Sequence, residues 1–364
     1  MKTAVIFGGT GFIGLHFAQH LLHAAGFERV VLADIKPPER HVAHVFVKPD
    51  IASGRVRYVE CDVRKPIRRD LVSEGPVTFI ANFAAVHREP GHEPWEYFET
   101  NIPGARNVCE YAEAVGCDDI LFTSSISPYG PTEKSKSEAS IPTPETAYGS
   151  SKLAAELIHA AWRDRGLSRR RLLVVRPGVV FGPGEGGNVS RLVKTLAKGF
   201  FVYAGNQGTR KAGLYVKELC NAMWWMHELM GRREPGLMTV NMTMNPGPSM
   251  QEYVETVQKV SGKNAFVPSI PVWALMTAAR CIELVTTVLQ IPSSINTVRV
   301  RKLVRSNNIL PGVLVQEGYP YLYTLESAMA DWRRCLPDEW GGGKVAVKGL
   351  LEDSREGNVT HSKP

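Results

Sequence analysis

Short runs of β-branched and aromatic residues alternate along the first half of the chain with stretches whose apolar positions recur every three or four residues. Thr3-Ala4-Val5-Ile6-Phe7, Val30-Val31-Leu32-Ala33, Arg57-Tyr58-Val59-Glu60, Val77-Thr78-Phe79-Ile80-Ala81, Ile120-Leu121-Phe122-Thr123 and Leu172-Leu173-Val174-Val175-Arg176 read as strands. Helical spacing is clearest over 95–115 and 146–165. Strands alternating with helices predict an α/β fold with a doubly wound parallel sheet. Beyond Pro177 to Pro183 the helical patterns are broken by loops such as Asn245-Pro246-Gly247-Pro248, while 237–242 reads as a strand returning to the main sheet. We expect residues 1–180, joined by 237–242, to form the sheet domain and 181–340 a smaller, discontinuous lobe. Residues 341–364 open on Gly341-Gly342-Gly343, lack periodicity and are expected to be disordered.

The most apolar stretch, Pro268 to Pro292, is interrupted by Arg280 and Glu283. A spanning helix needs about 20 uninterrupted apolar residues, so no transmembrane span is expected. The stretch reads either as a packed helix of the second lobe or as an interfacial membrane or dimer helix. Its basic neighbour, Arg299-Val300-Arg301-Lys302-Leu303-Val304-Arg305, suits the second alternative.

Composition narrows the class further. With 364 residues, 44% of them hydrophobic and 22% charged, the chain is ample for a soluble globular fold. Its net charge of +7 fits an anionic small substrate or an acidic surface. Neither basic cluster, 163–171 or 299–305, is interleaved with aromatics, which argues against nucleic acid, and both read as solvated faces. Six scattered cysteines without a Cys-x-x-Cys pair imply reduced, mostly buried thiols, a cytoplasmic location and no metal site. The N-terminal apolar run is short, broken by glycine and needed as a strand, so it is not a secretory signal.

That first strand runs straight into Gly8-Gly9-Thr10-Gly11-Phe12-Ile13-Gly14. Glycines at 8, 11 and 14 let the backbone approach an anion and let the next helix pack closely on the sheet. The helix N-terminus then offers free N–H groups to a pyrophosphate. The following strand ends at Asp34, 20 residues after Gly14, where a carboxylate accepts hydrogen bonds from an adenosine ribose. Strand, glycine turn, helix, strand and terminal acid together define a Rossmann-type dinucleotide site. Asp34 would repel a 2′-phosphate and so favours NAD over NADP, a preference that Lys36 nearby softens.

The Gly-x-x-Gly-x-x-Gly spacing, with Thr10, Phe12 and Ile13 inside it, resembles the extended branch of the short-chain dehydrogenase/reductase superfamily, the NAD-dependent epimerase/dehydratase family. In Tyr148-Gly149-Ser150-Ser151-Lys152 a phenol and an ammonium stand one helical turn apart, where the positive charge is expected to lower the phenol pKa toward that of a general base. Thr123-Ser124-Ser125-Ile126-Ser127-Pro128-Tyr129-Gly130 resembles the family segment whose second serine lies beside the catalytic tyrosine. The resemblance thus implies a catalytic set of Ser125, Tyr148 and Lys152, with Tyr148 and Lys152 also touching the cofactor. It further implies that Gly8, Gly11, Phe12, Ile13, Gly14 and Asp34 cradle NAD, that Asp62 and Val63 meet the adenine, and that Ala84, Ala85 and Pro177 line its passage. Asn101 matches a helix-stabilising asparagine, and Gly178 stands where many sugar epimerases carry asparagine.

For the substrate, the resemblance implies a nucleotide-diphosphate sugar and a homodimer. Asn188 is either a sugar or diphosphate ligand or only a helix cap. Arg210 resembles the family arginine that grips the diphosphate through its bidentate fork, although the aspartate that usually follows is absent. His87, His92 and Lys217 carry no motif and read as surface positions. Ile126 and Ser127 occupy the positions of the dehydratase acid pair, so dehydration and decarboxylation are disfavoured. Four readings remain: a nucleotide-sugar C4 epimerase, which Asp34 favours; a nucleotide-sugar reductase or dehydrogenase; a 3β-hydroxysteroid dehydrogenase-like enzyme, supported by the stretch 268–292; and a non-catalytic NAD-binding scaffold. Retention of both Tyr148 and Lys152 argues against the scaffold.

Overall fold

The computed structural model describes residues 2–289, apart from Glu74 and Pro90, and residues 306–341. The strands β1 (Thr3–Phe7), β2 (Arg29–Asp34), β3 (Val56–Glu60), β4 (Val77–Asn82), β5 (Asp119–Thr123), β7 (Arg171–Pro177) and β11 (Leu237–Met242) form one parallel sheet. Their order, β11-β7-β5-β4-β1-β2-β3, reverses direction between β1 and β4. Ligands of doubly wound sheets bind at such a switch point, outside the carboxyl ends of the strands. Six further strands pair two by two: β6 (Thr132–Lys136) with β13 (Asn307–Ile309), β8 (Val179–Phe181) with β10 (Gly213–Tyr215), and β9 (Tyr203–Ala204) with β12 (Ser269–Ile270).

The principal helices are α1 (Phe12–His23), α2 (Lys48–Ala52), α3 (Pro94–Val115), α4 (Ala147–Asp164), α5 (Asn188–Ala197), α6 (Val216–Gly231), α7 (Met250–Ser261) and α8 (Val272–Leu289). Alternation along the strands divides the core. Ala4 and Ile6 of β1 face a cluster with Phe17, Phe79, Phe181 and Trp332, while Val5 and Phe7 face one with Tyr111, Phe122 and Trp162. A sheet buried on both faces explains why β1 reads as an unbroken apolar run. Helices α1 and α6 pack on one face, α3 and α4 on the other.

The doubly wound fold agrees with the pattern along the chain. Five of the six further strands have only two or three residues, too few to show a period of two, and β6 is polar throughout. The basic cluster 163–171 is not a solvated face throughout: Arg170 is buried and donates to the Trp162 carbonyl and to Glu113. Arg165 pairs with Glu113 and Arg169 with Asp118, so the cluster ties the end of α4 to the loop before β5. All six cysteines are free, four of them buried. The stretch expected as a packed or interfacial helix forms α8. Among the described residues no helix is long and apolar enough to cross a membrane. The run 299–305 and the tail from 342 onward lie outside the described residues.

Candidate active site

At the carboxyl end of β1 the backbone closes tightly on itself. Gly8 has φ +71°, and a Cβ there would lie 2.5 Å from the amide nitrogen of Ala84. A Cβ on Gly14 would lie 2.6 Å from the Gly9 carbonyl oxygen, so only glycine lets α1 start this close to β1. Gly11, the N-cap of α1, supplies no side-chain cap, and the first turn with Phe12 and Ile13 carries no acid, which leaves its N–H groups to an anion. Asp34 ends β2 beside this turn and accepts from the Thr10 amide at 3.2 Å. A glycine cradle that any Cβ would fill, an uncapped helix start and a carboxylate at the next strand end fit a dinucleotide.

Around this cradle, Asp62 holds Arg64 in a bidentate fork with distances of 2.8–3.2 Å, which keeps its carboxyl below the usual range. Val63 packs beneath Gly104, and its carbonyl accepts from the buried Asn107. Ala84 follows β4 against the glycine turn, and Ala85 comes next along the chain. Asn101 has the structural role expected: it bonds both backbone groups of Val86 and donates to Ser151 of α4 at 2.9 Å. The Pro177 carbonyl accepts from Ile126, joining the end of β7 to the serine turn.

Thr146 caps α4 by accepting from the Gly149 amide, which fixes the start of the helix that carries Tyr148 and Lys152. Ser125 follows β5, accepts from the Ser127 amide and donates to the Ser127 hydroxyl at 3.0 Å, and it stands near enough to the Tyr148 phenol to oppose the rise in its pKa. The structure therefore brings Ser125, Tyr148 and Lys152 together. Their electrostatics differ from expectation. Burial pushes Tyr148 up to about 12; the Ser125 hydrogen bond opposes this, while Glu89 and Tyr97 add to it. Lys152 is not aimed at the phenol. It donates to the Thr123 carbonyl at 2.6 Å over the Phe122 ring, and burial brings it down to about 7 against the pull of Glu156.

Behind the pair lies a buried charged network that the motifs did not reveal. Arg176 of β7 grips Glu156 of α4 with two bonds of 2.6 and 2.9 Å, Ser124 donates to the same carboxylate, and Arg176 also donates to Tyr129. Glu156 follows Lys152 at i, i+4, a spacing legible in the sequence, but nothing there announced Arg176 as its partner. Tyr97, whose ring centroid lies 5.8 Å from that of Tyr148, carried no signal either.

Beyond the end of β7, a Cβ on Gly178 would lie 1.9 Å from the Ala212 carbonyl oxygen, which accepts from Val179. The asparagine of many sugar epimerases does not fit here, because the Ala212 backbone leading into β10 lies too close. Asn188 opens α5 exposed and accepts from Arg191 rather than capping the helix. Arg210 is half exposed and donates to the Gly247 carbonyl at 2.6 Å, with Glu252 at 4.0 Å. Lys217 is not a surface position: it is half-buried and pairs with Asp331 at 2.7 Å. His87 and His92 are exposed, and His92 faces Glu96. Among the described residues no group of acidic, histidine or cysteine side chains could hold a metal ion.

A parallel sheet with a glycine turn at its switch point and a Ser-Tyr-Lys set one strand away defines a dinucleotide-dependent enzyme of the extended short-chain dehydrogenase/reductase type. The model of the NAD dependent epimerase/dehydratase family matches residues 4–240, and the chain belongs to that family. Over 325 residues it is 26% identical to the N-acetyl-α-D-glucosaminyl-diphospho-ditrans,octacis-undecaprenol 4-epimerase of Escherichia coli O157:H7, covering 89% of this chain and 92% of that one. It is 29% identical over 275 residues to the UDP-glucose 4-epimerase of Streptomyces lividans, covering 71% and 80%. In fold it resembles the UDP-glucuronic acid 4-epimerase of Bacillus cereus solved with UDP-glucuronic acid and NAD, at TM-score 0.70 and 17% identity over 92% of this chain and 100% of that one.

Proposed function

We propose that the protein is a C4 epimerase of a diphosphate-linked sugar. The observation that carries this reading is the meeting of Ser125 and Tyr148 beside the glycine cradle, with Lys152 fixed on the same helix. Gly8, Gly11, Gly14 and Asp34 would hold NAD, which would supply reversible hydride removal at the sugar carbon. Tyr148 takes the proton from the sugar hydroxyl and later returns it to the same oxygen, while Ser125 donates a hydrogen bond to that oxygen. Because burial pushes Tyr148 up to about 12, its phenol is suited to act as the acid of the second half, and a positive charge brought beside it favours the phenolate needed in the first.

The sugar class follows from relatives named as UDP-sugar 4-epimerases and from Arg210 at the edge of the second lobe. Incubation with a panel of UDP-sugars, read by NMR, should yield the C4 epimer without accumulating NADH. Stoichiometric NADH and a released keto sugar would instead indicate a dehydrogenase and overturn the proposal.

A second reading places a polyprenol on the diphosphate instead of a nucleotide. The relative named for an undecaprenol-linked sugar matches over 89% of this chain, against 71–72% for the UDP-glucose epimerases of rice and Streptomyces lividans. A homodimer is part of the proposal, supported by Trp95 and Phe98 on α3 and Leu157 on α4, which the helix pair leaves exposed. Six free cysteines support a cytoplasmic location.

A further inference from the structure

Helix α8 is apolar along most of its length, yet among its described side chains only Ala279 is buried. Trp273 is 74% exposed and Leu284 68%. The chain enters α8 from a parallel ladder in which Phe201 donates to the Phe266 carbonyl, Tyr203 to that of Pro268 and Gly205 to that of Ile270. At the far end of this ladder Phe200 and Phe266 stack at 6.2 Å, and both rings are exposed. Soluble monomers expose large apolar side chains singly; four along one continuous path mark a surface that something covers.

The helix that leads into this path is basic. Arg191, Lys194 and Lys198 stand at i, i+3 and i+7 along α5 and its C-cap, all exposed, and Lys198 leads directly into Gly199-Phe200. Residues 188–198 include no acid to balance them. A second copy of the chain meeting this face about a two-fold axis would bring the stripe toward its own equivalent. An anionic bilayer supplies the missing negative charge, and aromatic side chains next to lysines suit the headgroup layer. We propose that Phe200, Phe266, Trp273 and Leu284 form one face with the basic stripe of α5 and that this face seats the protein on an anionic lipid surface. This inference deepens the second reading above and rests on it only for the substrate, since an epimerase so seated meets sugar diphosphates carried by lipids.

The test is co-sedimentation of the full chain with phosphatidylcholine vesicles, with and without phosphatidylglycerol, at low and high salt. The chain should bind the anionic vesicles and be released by salt. Lys194→Glu/Lys198→Glu should weaken partitioning by about tenfold or more, and Trp273→Ser/Leu284→Ser should abolish it. Both variants should keep the wild-type circular dichroism and turnover of a soluble UDP-sugar. Absence of binding by the full chain, or binding that neither variant reduces, would overturn the proposal. So would a full chain that ignores vesicles while Trp273→Ser/Leu284→Ser dissociates a dimer in the ultracentrifuge, which would assign the face to a second copy. Vesicle binding needs no turnover, so a chain that binds but epimerises no sugar diphosphate would overturn only the epimerase reading.

Discussion

The ammonium of Lys152 donates to the carbonyl oxygen of Thr123 across 2.6 Å, tying the catalytic helix to the end of β5. Burial lowers its pKa from 10.5 to about 7. Between those values the unfolded chain binds a proton that the folded one does not, so stability rises with pH through this window. Lys152→Met removes the group from both states. Between pH 7 and pH 9.5 the unfolding free energy from urea titrations should therefore rise more in the parent than in the variant, by on the order of a few kcal/mol. Equal pH slopes would show that the ammonium is not desolvated in the fold.

Tyr148→Phe keeps the ring and removes the proton-carrying oxygen. Turnover of the true substrate should fall by roughly 10²–10⁴-fold, with NAD affinity nearly unchanged. Near-normal turnover would remove Tyr148 from the mechanism.

Much of this site was legible in the chain because its chemistry is local. The glycine turn, Asp34 at a strand end, and Tyr148 and Lys152 one helical turn apart all lie within short windows. The direction in which Lys152 points was not, since the Thr123 carbonyl that captures it lies 29 residues away on another element. Lys217 misread as a surface residue for the same reason: its partner Asp331 is 114 residues on. Pairings this distant in sequence leave no period or spacing to detect.

Glu156 and Arg176 form a buried, bidentate pair between α4 and β7. Removing one charge strands the other, so Glu156→Gln or Arg176→Met should each cost about 3–5 kcal/mol. Glu156→Leu combined with Arg176→Met should cost much less than the sum of the single changes. Denaturant unfolding of all variants measures the coupling, and additive losses would show that the two side chains are independent.

Asp34 is the residue we expect to govern cofactor choice. Asp34→Ala with an arginine placed at Ile35 should shift preference toward NADP, because it removes the charge that repels a 2′-phosphate and supplies a fork to hold one. Calorimetry decides. Tighter NADP binding by the unaltered chain would contradict the assignment.

Arg210 separates a sugar diphosphate from an uncharged sterol. Its guanidinium donates one N–H to the Gly247 carbonyl, and it is exposed enough to meet a ligand. A charge-assisted hydrogen bond to a phosphate contributes about 1.5–3 kcal/mol, or about 10–150-fold in affinity. Arg210→Ala should raise the KM for a UDP-sugar by that factor and leave NAD binding almost unaltered. The same change should hardly touch turnover of a sterol, which offers no anion to the arginine. If steady-state kinetics show an unchanged KM for the sugar, and substitutions within 268–289 control affinity for a sterol instead, the sugar diphosphate assignment fails and the hydroxysteroid reading takes its place.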